Sequence, residues 1–313
     1  MGAGGYYTLR AADSTTRTSF LNGNAMGTLK KQWMLGVSAN YFTTGERYYV
    51  DADLSYVDFP MNFYGIGNGI DPDAKETYHS NTFRFQLLGY RSLAPKLFVG
   101  GGYRAGNVHR IQYSSGGILE TVKPIGMNGH YFSGVQLALL FDNRDNQLGA
   151  SRGWYAKVSQ AEFNRALGSQ FNFRTQSIDV RTYVTPWRNR QDVLAFQVYG
   201  QVAVGDVPFT ELSLMGSSTL MRGYYSGQYR DRYYCAAQTE YRYKANSWLG
   251  FVAFVGAGAV APRADQLTLS EVKPNYGGGA RIAIMPSGNL TLRIDYGRGR
   301  DNGALYIAIM EAF

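Results

Sequence analysis

The residues of this chain best equipped for chemistry are Arg222 and Glu240, in the stretch LMGSSTLMRGYYSGQYRDRYYCAAQTEYRY from Leu214 to Tyr243. A guanidinium taken out of bulk water stays charged and has five donors to satisfy, so it needs a carboxylate or carbonyls beside it. Beyond Arg222 the residues alternate. Arg232, Tyr234, Ala236, Gln238, Glu240 and Arg242 share one face of a strand, and Tyr233, Cys235, Ala237, Thr239, Tyr241 and Tyr243 share the other. The first face is mostly polar and carries Glu240. The second could meet lipid, as on a membrane barrel strand whose polar face lines a lumen.

Asp142, Arg144 and Asp145 form a second charged group, spaced for a local salt bridge that fixes the turn before Gly153. They supply too few oxygen ligands for a metal, and the single Cys235 permits neither a thiolate site nor an internal disulfide. Catalysis has little to draw on: His79, His109 and His130 are far apart, with no Gly-x-Ser-x-Gly elbow and no His-x-x-x-His pair. His79 beside Asp73, or His130 with a nearby serine, would imitate a hydrolytic site at a barrel rim. The glycine-rich pieces at Gly65 and Gly100 are followed by no helix and so are not phosphate cradles. Neither enzyme activity, nor a cofactor, nor a metal is expected.

The elements that position these residues read as strands. In QWMLGVSANYF, Trp33, Leu35, Val37, Ala39 and Tyr41 alternate with Gln32, Met34, Gly36, Ser38 and Asn40. In RYYVDADLSYV, Tyr48, Val50, Ala52, Leu54 and Tyr56 oppose Arg47, Tyr49, Asp51, Asp53 and Ser55. A buried helix would repeat at three and four instead. About 15 such runs can be counted, each long enough for a tilted barrel strand. Longer connections are expected at 59–78, 114–129 and 206–231, and short polar turns at PWRNR from Pro186 and MPSGN from Met285.

The composition agrees: 38 Gly, 25 Tyr and 17 Phe suit turns, interface girdles and strands. The mean hydropathy of −0.27 hides the lipid-facing half of alternating strands. No run approaches the ~18 apolar residues of a membrane helix, so a bilayer would be crossed as a closed barrel. No basic-then-apolar secretory segment is visible in MGAGGYYTLR. The formal charge of +8 is spread along the chain with no nucleic-acid-reading motif, and arginines in a lumen or facing anionic headgroups account for it.

Taken in order, these segments resemble the BamA/TamA-type outer-membrane assembly-factor superfamily, also called the bacterial surface antigen family. Met221-Arg222-Gly223-Tyr224 is similar to the Val-Arg-Gly-Phe/Tyr motif of its long, inward-folded extracellular loop. FDNRDNQLGASRGW, from Phe141 to Trp154, resembles its aromatic-Asp-x-Arg-Asp turn. VGAGAVAP from Val255, RIDYG from Arg293 to Gly297 and the terminal Phe313 follow in the order of its last strands. FYGIGN, from Phe63 to Asn68, resembles a loop entry of one branch.

The resemblance implies an all-β fold, a transmembrane antiparallel β-barrel of about 16 strands with an inward-folded extracellular loop, in the outer membrane of a Gram-negative bacterium. The family's loop follows its eleventh strand and only about ten runs precede it here, so a first strand is expected to be missing or merged. Residues 1–313 read as one barrel domain without the family's POTRA repeats. Arg222 is implied to pair with Glu240, pinning the loop tip. The family's second anchor, an aspartate before the glycine of the next strand, is replaced by Gly256 before Gly258, so anchorage by Glu240, with help from a carboxylate such as Asp295, is expected to be weaker. Leu305, Ile307, Ile309 and Phe313 on one face resemble the C-terminal assembly signal, from which Glu311 departs.

The implied role is insertion or translocation of proteins. The implied partners are outer-membrane lipids including lipopolysaccharide, and unfolded barrel clients or a separately encoded periplasmic partner, with no nucleic acid and the oligomeric state open. A passive barrel plugged by the loop, a membrane anchor for that partner, and a rim lipase or protease are the alternatives.

Overall fold

The computed structural model describes residues 2–9, 13, 16–30, 32–187, 191–285 and 290–313. Alternating sequence becomes alternating burial along strand after strand. The strands are β1 (Gly2–Leu9), β2 (Ser19–Gly27), β3 (Trp33–Phe42), β4 (Tyr48–Phe63), β5 (Glu76–Ala94), β6 (Leu97–Gln112), β7 (His130–Asp142), β8 (Gly153–Phe163), β9 (Phe173–Val184) and β10 (Val193–Gly205). After the two-residue β11 (Ser213–Leu214) and β12 (Arg230–Asp231) come β13 (Tyr233–Lys244), β14 (Leu249–Ala261), β15 (Lys273–Met285), β16 (Leu290–Arg298) and β17 (Gly303–Ile309). The fifteen long strands pair antiparallel in chain order as one sheet, and β11 pairs with β12 inside a loop. β1 and β17 are the end strands, and among the described residues no ladder joins them.

The sheet forms a transmembrane β-barrel, with one face of each strand turned to a shared lumen. On β7, Phe132, Gln136, Ala138 and Leu140 are buried, while Val135, Leu137, Leu139 and Phe141 stand exposed outside. An exposed apolar surface of this extent belongs against lipid. No helix of the described residues is long and apolar enough to cross a membrane, and the crossing is made by strands.

The strands are longer than period 2 suggested at one place. Pro60 signals a strand end, yet β4 runs on to Phe63 and β5 starts at Glu76, with Pro60 opposite His79 beside a bulge in β5. Such a position tolerates proline. The expected turns PWRNR and MPSGN fall largely on residues 188–190 and 286–289, outside the described residues.

The four longest connections, residues 64–75, 113–129, 206–232 and 262–272, lie at one end of the barrel, here the loop end; the opposite end is the turn end. Near the loop end, wall residues Phe63, Tyr78, Phe132, Phe163 and Phe173 meet Phe209 and Leu212 of a loop and Leu119 of the short helix α1 (Ile118–Val122). This apolar cluster seals the lumen on that side. Near the turn end a second cluster stacks Phe42, Tyr49 and Tyr90, with ring centroids 4.4 and 5.0 Å apart.

Candidate functional site

The loop between β10 and β13 folds into the lumen, and its tip is held from three sides. Met221 adopts a left-handed backbone (φ 55°) and Gly223 follows at φ 104°. A Cβ on Gly223 would sit 2.5 Å from the Arg298 carbonyl carbon and from the Gly299 nitrogen, so only glycine fits. The close approach lets the Gly223 amide donate to the Tyr306 hydroxyl (2.9 Å) and lets Asn275 Nδ2 donate to the Arg222 carbonyl (3.0 Å). Tyr224 donates its hydroxyl proton to the Pro274 carbonyl at 2.7 Å and accepts from the Arg300 amide at 3.0 Å.

Arg222 itself has no exposed surface. Its guanidinium donates through Nη2 to Glu240 and through Nη1 to Asp295 Oδ2 at 2.7 Å, and lies 3.5 Å from the centroid of the Phe254 ring. These partners come from β13, β16 and β14. The second carboxylate therefore stands on β16, and the anchorage expected to be weak has two acceptors and an aromatic face. β14 contributes space instead of charge: a Cβ on Gly258 would crowd Met221 Sδ at 3.2 Å.

Further charges extend the cluster along the wall. Arg242 Nε donates to Glu240 Oε2 (2.9 Å), Arg281 Nη1 to Asp295 Oδ1 (2.5 Å) and Arg293 Nη1 to Asp295 Oδ2 (3.3 Å). Arg281 also donates to Glu311 at 2.6 Å, and Arg293 to the Ser218 carbonyl of the loop at 2.8 Å. Four guanidiniums thus share three carboxylates, in a desolvated setting where each depends on its neighbours. Sequence reading missed Arg242, Arg281 and Phe254 as members. The available signal was an arginine at a lumen-facing position of β13, β15 and β16, as in GGGARIAIM and RIDYG.

Asp142, Arg144 and Asp145 do not act as one ion cluster. Asp142 takes two hydrogen bonds from the Arg144 guanidinium, each 2.9 Å, and one from Arg17 Nη1 at 2.8 Å. Asp145 accepts from the Ser151 and Arg152 amides and closes the turn ahead of Gly153, whose φ is 105°. Arg17, between β1 and β2, also grips Glu46 through Nε at 2.9 Å, and Lys96 reaches the same carboxylate at 3.2 Å. Burial pushes the Glu46 carboxyl up, but the hydrogen bonds and charge of Arg17, with the charge of Lys96, outweigh it and hold it below its ordinary value.

One expectation and two arrangements weighed as alternatives need correction. Phe313 does not share the outer face of Ile307 and Ile309, which are 67% and 44% exposed. The strand stops at Ile309, Met310 turns at φ 78°, and Phe313 tucks among Tyr183, Val193 and Ala195, its carbonyl accepting from Arg242 at 2.9 Å. Glu311 turns inward with it. His79 pairs with Asp58 at 2.8 Å and not with Asp73, and His130 Nε2 meets Thr210 Oγ1 at 3.2 Å, not a serine. Among the described residues no group of three or more His, Cys, Asp or Glu is placed to hold a metal. Cys235 is exposed on the outer face.

A family model described as the Omp85 superfamily domain matches residues 2–299. Among solved structures, BamA from Haemophilus ducreyi lacking POTRA domains 1–3 is 14% identical with a TM-score of 0.60, over 99% of this chain and 70% of that one. CdiB from Escherichia coli (12% identical, TM-score 0.64) matches over 98% of this chain and 59% of its own. CdiB from Acinetobacter baumannii (11%, 0.62) matches over 98% and 58%. At these identities the likeness is one of fold, and the chain spans less than two thirds of either CdiB. No curated protein matches the sequence.

Proposed function

The chain belongs to the Omp85 superfamily and is a barrel of the Gram-negative outer membrane, and from that premise we propose that it inserts or translocates proteins at that membrane. The observation that carries this reading is the unequal bracing of the two end strands. On the β17 side, the Arg222 loop and its charge network tie β13 to β16, and Tyr306 of β17 holds the loop tip. On the β1 side the lumen face has no charged residue through β3: Gly2, Gly4, Tyr6 and Thr8, then Phe20, Asn22, Asn24 and Met26, then Met34, Gly36, Ser38 and Asn40. A stiff edge beside a pliant one favours opening at the seam, where unpaired backbone groups can receive an incoming strand. Lipid cannot satisfy those groups, so the drive to pair is strong.

In this reading the loop end faces the cell exterior and lipopolysaccharide, and the turn end meets unfolded barrel clients or a separately encoded periplasmic partner. The barrel does no bond-breaking chemistry. The test is insertion of an unfolded barrel client into liposomes, with and without the protein. Faster insertion that drops in Arg222→Ala is expected, and an unchanged rate would end the proposal. A second reading, a passive barrel or membrane anchor, is favoured by the apolar seal across the loop end. It gains if the client neither inserts faster nor cross-links to β1.

A further inference from the structure

Between the two apolar clusters the lumen holds a polar chamber of about 360 Å³. Gln86 of β5 and Arg104 of β6 are direct cross-strand partners on its wall, and Gln136 of β7 pairs with Gly102, two residues from Arg104. Most lumen cations nearby are matched. Lys157 reaches Asp51 at 3.4 Å and Arg84 reaches Glu211 at 2.6 Å, while Arg230, with no carboxylate, donates to the carbonyls of Gly227 and Asn62. Arg104 differs. Among the described residues it donates to no protein group: the charge of Glu211, already bonded to Arg84, reaches it without a hydrogen bond, and its guanidinium lies 5.6 Å from the Phe163 ring centroid. Beside it Gln136 is 5% exposed, and its Oε1 has no hydrogen-bond partner.

A rich donor and a bare acceptor therefore stand side by side on a wall with room before it. An anion without a proton to give would satisfy Arg104 and face the Gln136 carbonyl oxygen unfavourably, whereas a neutral sugar would leave the guanidinium uncompensated. We propose that the chamber binds a small hydroxylated carboxylate of the uronic-acid class, its carboxylate on Arg104 and a neighbouring hydroxyl donating to Gln136 Oε1. Entry is from the turn end. A smaller cavity of about 150 Å³, bounded by Asp142 and Arg144 at that end, shares Tyr155 and Arg181 with the chamber, while the opposite side is sealed.

Calorimetric titration of the folded barrel in detergent tests this with three probes: galacturonate, galactose and acetate. Galacturonate is expected to bind saturably, with galactose and acetate at least tenfold weaker. Arg104→Gln should weaken galacturonate at least tenfold, and Gln136→Leu should reduce it to the level of acetate. Should Arg104→Gln fail to fold, as judged by heat-modifiable gel migration, Gln136→Leu carries the test. Absence of saturable galacturonate binding, equal binding of galactose, or binding that survives both substitutions would overturn the proposal.

Discussion

Asp295 accepts from three guanidiniums, Arg222, Arg281 and Arg293, whereas Glu240 accepts from two. Removing one member of a buried ion pair costs about 3–5 kcal/mol because its partner stays desolvated. Asp295→Ala should therefore fall at the upper end of that range and Glu240→Ala nearer the lower, since Arg222 then keeps Asp295. Denaturant unfolding in detergent checks the order, and a reversed order would show that Asp295 is not the shared acceptor. The double substitution of Arg222 and Asp295 to Ala should lose less than the two single losses combined. At Gly223, alanine meets the backbone of Arg298 and Gly299 at φ 104°, so Gly223→Ala should unseat the loop tip. Protease cleavage within residues 206–232 should become faster, with the strands left intact. The Arg222 and Glu240 pairing could be read from strand alternation and motif together. Asp295 could be named from the sequence as a helper, but its share as a full second acceptor could not, because bringing β16 across from β13 depends on the curvature of the wall.

Strands were the most legible level, since period 2 separates lumen from lipid residue by residue, as the Trp33–Tyr41 series does, with Trp33, Leu35, Val37 and Tyr41 exposed outside. Their ends were less so. Nothing in ALYIAIMEAF marks the departure at Met310, where the tail leaves the sheet because Arg242 and a pocket among Tyr183, Val193 and Ala195 await Phe313. The turn end carries a prediction of its own. Arg17 ties the β1–β2 turn to Glu46 of the β3–β4 turn and to Asp142 at the end of β7. With the Glu46 carboxyl held below its ordinary value of 4.5, its contribution is present in full above that value and is lost as pH falls through the lowered one. Thermal unfolding from pH 7 downward should show a step that Arg17→Ala removes. A step of undiminished size in that variant would assign the titration to another carboxylate.

At the scale of the whole barrel, the lumen is divided: an apolar seal by the loops, a polar chamber, and an aromatic stack beside the turns. A sealed lumen should conduct poorly. In planar bilayers the protein should give small or no steady currents, and deleting residues 208–229 should raise conductance severalfold by removing Phe209, Leu212 and the Arg222 tip together. Large currents from the intact chain would mean that the cluster around Phe163 and Phe209 does not close the path.

The strand order has one more consequence. Neighbours that alternate in direction can alternate all the way round a ring only if their number is even, and the described residues form fifteen. β1 and β17 consequently point the same way, and a ladder made directly between them would be parallel, with slanted bonds and slightly less stability per residue than any other seam of the wall. A strand slipped between them would run opposite to both and relieve the mismatch. Among the described strands, counting alone sets this junction apart from the others, before any side chain is considered.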